Sequence, residues 1–354
     1  MKIIVAGDYQ NPIYSPAIYL SLKKLGHEVI AFKWNEYFGA FITSKIANKF
    51  HVGPIVFKVN RDLQRLCFRE KPDLLFIYRG VIITNETIKT IREHSGTIVI
   101  GFNNDDPFST NYPKYFWKLY LNSVPYYDHI FSFRHKNVME YKKRYGISSD
   151  LFRMYYIKER NYKMSETDIK QFPQYKCDVL FVGHFENDGR DEYLYELVKL
   201  GIDLQLYGNE WEQSKYYNVF KKIMKGDIRR LEKDYNTAMN CAKICIVFFS
   251  HLNNDTYTTR CFEIPATEGF MLSEYTDDMA QMFAPNKEAV YFSDKDDFIL
   301  KIKYYLSHND EREKIAKCGR YRLLKDGYEV QDRAMQIIEK YEALKKIEDN
   351  KLKQ

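Results

Sequence analysis

Apolar runs that end in glycine or polar residues alternate with stretches of helical spacing along the chain. KIIVAG (2–7) passes through a loop into SPAIYLSLKKLG (15–26), whose apolar positions recur at helical intervals, and then into HEVIAFKW (27–34). That succession predicts strand, helix and strand, the beginning of a parallel sheet. The rhythm continues with a helix at 59–72, a strand at 73–80, a helix at 85–96 and strands at 97–105 and 128–134. Near residue 158 it lapses, because KERNYKMSETDIKQFPQYK has no periodic apolar face and predicts a linker. It resumes with CDVLFVGHFENDGR (177–190), a helix at 191–201, a strand at 202–211, a helix at 229–242 and the strand KICIVFFS (243–250). A helix beginning within FEIPATEG (262–269), short strands at 270–275 and 289–294 and a helix at 296–309 complete the second half. The expected fold is α/β, with two Rossmann-like domains facing across a cleft. Their boundaries are 1–160, a linker at 161–176, and 177–327, followed by a long amphipathic helix with a frayed tail over 328–354.

Length supports two domains, since 354 residues exceed the size at which one core stops growing, roughly 250–300 residues. A hydrophobic content of 45% with 29% charged residues is that of a globular protein, and no stretch approaches the roughly 20 apolar residues that span a bilayer. MKIIVAGDYQ turns polar too soon for a signal peptide, so a cytoplasmic location is expected. The six cysteines lack any CxxC pair and several lie in apolar runs, which points away from disulfides and zinc. A net charge of +6 is too mild, over this length, to predict a nucleic-acid partner. The chain is 16% aromatic, and many of its tyrosines fall in Lys-rich surface segments.

Ligands of open parallel sheets bind beyond the carboxyl ends of the strands, which singles out GDYQNP (7–12), RG (79–80), NNDDPF (103–108) and FRHKN (133–137). The first lacks GxGxxG and is no dinucleotide fingerprint. In VGHFENDGR, Gly183 lets backbone approach a ligand, and His184 and Arg190 bring two cationic groups to a helix start, which suits phosphate oxygens. A solvated loop capped by Asp191 accounts for the same residues. TTRCFEIPATEG (258–269), just after Asp255, gathers Arg260, Glu263, Glu268 and Gly269. If it is helical from about 261, Glu263 and Pro265 both occupy the first turn, where a carboxylate is favoured and no amide donor is lost. There Glu263 would accept ribose hydroxyls, or simply cap the helix and pair with Arg260. Asp105 and Asp106 ahead of Pro107 compose a turn, or a carboxylate pair for hydroxyl recognition or general-base work.

Taken together, KPDLLFIYRG and NNDDPF in the first half, with DVLFVGH, LYGNEW, TTRCFEIPATEG and EREKIAKCGRYRLLKDGYEVQDR in the second, resemble glycosyltransferases of the GT-B type. The nearest resemblance is to the CgeB-like (spore maturation protein) group, with its glycosyltransferase family 1 C-terminal domain, and it spans nearly the whole chain. Its most specific parts are an Arg-x-x-Glu before a Gly turn and a Glu-Arg-x-x-Ile-Ala helix further on. Asp255 to Glu263 also resembles the Glu-x7-Glu pattern of retaining GT-B enzymes, with Asp at the first position.

The resemblance implies a nucleotide-sugar donor, no separate cofactor and no metal. Glu263 would hold the ribose, Arg190 and Arg260 the diphosphate, and Asp255 would face the donor sugar. Gly208, in LYGNEW, would let the base approach, with Gly183, His184, Glu268 and Gly269 completing the donor side. Tyr9, Arg79 and Asp105 would lie on the side of a saccharide, glycoconjugate or protein acceptor, and Asp106 would bind acceptor or sugar hydroxyls. A nucleotide-sugar epimerase on the same scaffold and a non-catalytic sugar- or nucleotide-binding protein are the alternatives. NYPKYFWKLYLNSVPYY (111–127) is the candidate for peripheral membrane contact, its ordinary reading being an amphipathic helix.

Overall fold

The computed structural model describes residues 1–113 and 115–352. Lys114, inside the aromatic 111–127 segment, and Lys353 and Gln354, at the end of the expected tail, lie outside the described residues. Two parallel sheets organise the chain. The first contains β1 (Lys2–Gly7), β2 (Glu28–Lys33), β3 (Leu74–Tyr78), β4 (Ile98–Asn103), β5 (His129–Ser132) and β6 (Ser149–Leu151), ordered β2-β1-β3-β4-β5-β6. The second contains β7 (Cys177–Val182), β8 (Leu204–Tyr207), β9 (Ala242–Val247), β10 (Met271–Glu274) and β11 (Val290–Phe292), ordered β11-β10-β9-β7-β8.

The strands read as unbroken apolar runs because helices cover both faces of each sheet. Ile3, Ile4, Val5 and Ala6 of β1 and Leu74 to Tyr78 of β3 are all buried. In each sheet the strand order reverses beside its first member, between β1 and β3 and again between β7 and β9. At such a reversal the connections leave to opposite faces and a crevice opens at the carboxyl ends. The loops after β1, β3, β7 and β9 are therefore where chemistry belongs.

The chain forms two compact units, residues 1–154 with 330–354, and residues 155–329. The terminal helix Val330–Leu352 belongs to the first. It buries Val330, Ala334, Ile337 and Tyr341, one stripe at helical spacing, and Gln336 Nε2 donates to the Leu151 carbonyl at 2.9 Å. No described helix is long and apolar enough to cross a membrane.

The polar stretch after residue 158 belongs to the second unit and is stitched to the helix Tyr235–Cys241. Tyr162 N donates to Asn236 Oδ1 at 2.9 Å and Met164 N to Asn240 Oδ1 at 2.8 Å, while Asn240 Nδ2 donates to the Tyr162 carbonyl at 3.0 Å. Two amides one helical turn apart thus take the place of the missing apolar face. Asn240→Ala should orphan the Met164 amide and the Tyr162 carbonyl and cost about 1–3 kcal/mol in urea unfolding. An unchanged midpoint would show that water satisfies both groups.

Candidate functional site

At the carboxyl end of the second sheet, the loops that follow β7 and β9 are joined by one side chain. Arg190 opens the helix Arg190–Lys199 with its guanidinium buried. Its Nε and Nη2 donate to the Asp188 carboxylate at 2.9 and 2.6 Å, its Nη1 to the His184 carbonyl at 3.1 Å, and its Nη2 also to the Phe249 carbonyl at 3.0 Å. Around this clamp, Glu186 accepts from Ser250 Oγ at 3.0 Å and lies 3.0 Å from the exposed His184 Nε2. Glu274, at the end of β10, accepts from Phe249 N at 2.6 Å and stands 3.5 Å from His251 Nε2. Burial pushes the Glu186 carboxyl up, yet His184, Arg190 and Ser250 hold it below the usual carboxylate range. For Glu274 burial prevails and its pKa is raised.

The expected Arg190–diphosphate contact therefore needs correction. Asp188 neutralises the guanidinium and two carbonyls take its remaining fork, so Arg190 shapes the two loops and has little charge left for a ligand.

Arg260 differs. It starts the helix Arg260–Ala266, and its Nε is buried without a hydrogen-bond partner among the described residues. The Nε of Arg160 is in the same condition. Both arginines act on Glu263, only 4% exposed, whose carboxylate accepts from Tyr235 Oη at 2.6 Å. Burial nonetheless keeps the Glu263 pKa above its ordinary value, against the pull of Tyr235, Arg160 and Arg260. Arg160 stands 5.5 Å from the Tyr235 ring centroid. Glu263 does lie in the first turn, but Pro265 falls inside the helix, because the helix begins at Arg260.

Other donor-side candidates serve the fold. A Cβ on Gly208 would lie 1.9 Å from the Gly183 carbonyl oxygen, which also accepts from Trp211 Nε1 at 2.8 Å; the glycine is required by the neighbouring loop, whatever ligand binds. A Cβ on Gly183 would meet the Phe181 ring at 2.7 Å, and one on Gly269 would press Ile264 and Thr267 at 3.1 Å. Glu268 pairs with Lys163 at 2.7 Å. Asp255 donates its amide to the Ser250 carbonyl at 3.0 Å, closing the loop after β9.

In the first unit, a cavity of about 340 Å³ opens at the strand reversal between β1 and β3. Asp8, Tyr14, Trp34, Asn35, His51, Tyr78 and Arg79 are among its walls. Ser15 Oγ and Asn104 Oδ1 also belong to residues lining it, and both are buried atoms without a partner among the described residues. Arg79, with φ of 54°, forms an ion pair with Asp105 at 2.5 Å and lies 5.9 Å from the Phe116 and Trp117 ring centroids. His51 Nδ1 is 3.0 Å from the Phe116 carbonyl, so this nitrogen carries the proton and Nε2 is an acceptor; burial lowers its pKa and favours the neutral ring. Tyr9 donates its hydroxyl to the Val5 carbonyl at 3.0 Å, and its amide donates to Asn35 Oδ1 at 2.9 Å.

Asp106 is a second correction. It is wholly buried and accepts from Lys136 Nζ at 3.1 Å, Asn137 Nδ2 at 2.7 Å and Phe108 N at 3.0 Å. A carboxylate so enclosed braces the turn to the helix His135–Tyr145 and presents no surface to an acceptor. Within the aromatic 111–127 segment, Trp117 and Tyr120 are buried and Tyr112 stacks on Phe116 at 5.5 Å, while Tyr115 stays exposed.

Residues 190–339 match the family model described as glycosyl transferase-like. No curated protein matches the chain in sequence. Solved structures share its architecture at low identity. A glycosyltransferase from Rickettsia africae is 12% identical, with 97% of this chain and 98% of that one covered and a TM-score of 0.68. Anabaena HepE in complex with UDP-glucose is 9% identical over 97% of this chain and 100% of that one, at a TM-score of 0.70. The chain has the GT-B fold. A putative UDP-N-acetylglucosamine 2-epimerase from Listeria monocytogenes resembles it too, at 13% identity, 95% and 94% coverage and a TM-score of 0.59.

Within this GT-B fold, sequence reasoning missed Arg160, Tyr235, Glu186, Glu274 and most of the cavity wall. Arg160 lay in the stretch read as a linker, and no motif ties it to Tyr235. The GDYQNP loop did carry the signal for Asp8, a carboxylate directly after β1.

Asp106→Asn should turn an acceptor into a donor facing Lys136 and Asn137, costing roughly 1.5–3 kcal/mol of stability while folded protein keeps most of its activity. The folded pKa of Asp106 is lowered, because Lys136, Phe108 and Asn137 outweigh the upward push of burial. Its stabilisation is then full above the unfolded value of about 3.9 and lost as pH falls through the folded pKa, so the gap to Asp106→Asn should close in acid. A gap independent of pH would contradict this account.

Proposed function

We propose that the protein is a glycosyltransferase that moves a sugar, of hexosyl type, from a nucleoside diphosphate to a saccharide, glycoconjugate or protein acceptor. The reading includes a place in the CgeB-like group, a cytoplasmic site of action in surface polysaccharide or glycoconjugate synthesis, retention of anomeric configuration and independence from metal. The observation that carries it is the pair of buried, unpartnered guanidinium nitrogens of Arg160 and Arg260 beside Glu263, with Arg260 and Glu263 inside the segment matched as glycosyl transferase-like.

As the glycosidic bond breaks, negative charge grows on the β-phosphate of the leaving diphosphate. A guanidinium with a buried nitrogen still short of an acceptor strengthens its contact as that charge develops, which lowers the barrier instead of only tightening binding. In this reading Arg260 and Arg160 supply the charge and Glu263 accepts ribose hydroxyls. The cavity of the first unit takes the acceptor, whose hydroxyls suit Ser15, Asn35 and Asn104 and whose ring faces suit Trp34 and Tyr78. Retention is supported by the Asp255-x7-Glu263 spacing, which resembles the pattern of retaining GT-B enzymes. HepE, solved with UDP-glucose, makes that nucleotide sugar the first to assay.

A panel of nucleotide sugars, scored for transfer and for slow donor hydrolysis, tests the reading. Conversion of the donor into its epimer, with no sugar released, would instead favour the epimerase activity named for the Listeria relative. Arg260→Ala should lower turnover by roughly ten- to a hundredfold with a smaller change in KM, as expected of a contact made in the transition state. A change confined to KM would reduce Arg260 to uniform binding. Activity should persist in EDTA; loss restored by magnesium would remove the metal-independent mechanism. Proton NMR of the product settles configuration: an inverted anomer together with an inactive Asp8→Asn would give the base role to Asp8 on the cavity wall.

Donor affinity should also rise with pH. Burial raises the Glu263 pKa, and only the ionised form accepts two hydroxyl protons, so affinity climbs as pH passes upward through that raised value. Glu263→Gln should bind roughly ten- to a hundredfold more weakly at neutral pH with a flat profile; an unchanged dissociation constant in calorimetry would dismiss the ribose assignment.

A further inference from the structure

One surface of the first unit is amphipathic in the reverse of the usual sense. The helix Ile42–Phe50 buries only small residues, Ser44 and Ala47, and turns Ile42, Lys45, Ile46, Lys49 and Phe50 outward at i, i+3, i+4, i+7 and i+8. Ile42 is 70% exposed, Phe41 just ahead of it 80%, and Phe57 in the first turns of the following helix Pro54–Glu70 is 69% exposed. Exposed apolar residues grouped in this way mark an interaction surface, whereas isolated ones are ordinary. The charge is equally one-sided: from Gly39 to Asn60 the chain carries Lys45, Lys49 and Lys58 and no Asp or Glu. Lys49 Nζ lies 5.5 Å from the Phe50 ring centroid, so an apolar residue and a lysine share one edge of the helix.

We propose that this face docks the first unit on an anionic lipid surface, with Phe41, Ile42, Ile46 and Phe57 at the headgroup–acyl boundary and the three lysines on lipid phosphates. Charge argues for that occupant over a second copy of the chain, because apposing two such faces would set lysines against lysines without a carboxylate between them. An anionic bilayer supplies both an apolar layer and a negative surface potential. Asn48 and His51 of the same stretch, with Phe38 just ahead of it, line the cavity, so docking holds that wall beside the headgroups. Tyr115 of the 111–127 segment, 39% exposed and with its ring centroid 5.1 Å from that of Phe50, adds one aromatic ring to the edge of this face.

Co-sedimentation of the purified full chain with vesicles tests this without reference to activity. Binding is expected to phosphatidylcholine vesicles containing phosphatidylglycerol, to weaken in high salt, and to be at least tenfold weaker on pure phosphatidylcholine. Replacing any one of the three lysines by glutamine should cost about fivefold. Phe41→Ser with Ile46→Ser should lower affinity at least tenfold, and because both side chains face solvent the circular dichroism and unfolding midpoint should not change. The proposal is overturned if the wild type fails to bind the anionic vesicles, if the double variant binds as well as the wild type, or if the substitutions instead abolish a concentration-dependent dimer seen by analytical ultracentrifugation.

Discussion

A single buried guanidinium holds together the crest of the second sheet. β7 and β9 are adjacent, yet their following loops belong to different stretches of chain, and without a bridge each would be free to choose its own path. Arg190 takes the His184 carbonyl from one and the Phe249 carbonyl from the other, while Asp188 cancels its charge. An arginine fits the task because its planar fork keeps five donors in fixed directions, so several acceptors are engaged for one loss of side-chain freedom. The partners around it, Glu186 with Ser250 and Glu274 with the Phe249 amide, then have fixed loops to act on.

This division of labour gives the two arginines of the second half different parts. The one at the start of the longer helix is enclosed and neutralised, and so builds the site. The one at the start of the shorter helix stands beside Glu263 and keeps an unpartnered donor, as does Arg160. A buried donor without an acceptor costs stability, and such a cost persists where a ligand that supplies the acceptor repays it. The cavity at the β1–β3 reversal repeats the pattern in neutral form, with Ser15 Oγ and Asn104 Oδ1 lacking partners among the described residues.

The strands were legible because burial on both faces leaves continuous apolar runs, and their loops could be named from the rule that ligands gather at carboxyl ends. What failed to show was which of several polar neighbours the fold would use itself. Asp105 and Asp106 are adjacent and chemically alike, but one faces Arg79 at the cavity and the other is walled in by Lys136 and Asn137, a difference set by a helix many residues away. Asp188 and Arg190 stood two positions apart in ENDGR, and only the left-handed turn at Gly189 between them, with φ of 89°, folds the carboxylate back onto the guanidinium. The stretch around Arg160 looked like a linker because its order comes from Asn236 and Asn240, acceptors that periodicity does not register.

Hydrogen exchange with and without nucleoside diphosphates examines the donor assignment most directly. With UDP, GDP, ADP and dTDP each at millimolar concentration, the account predicts that at least one slows exchange in the loops 183–190 and 248–263 and around Arg160, and leaves the walls of the first-unit cavity unchanged. Protection confined to that cavity, or none with any of the four, would contradict it.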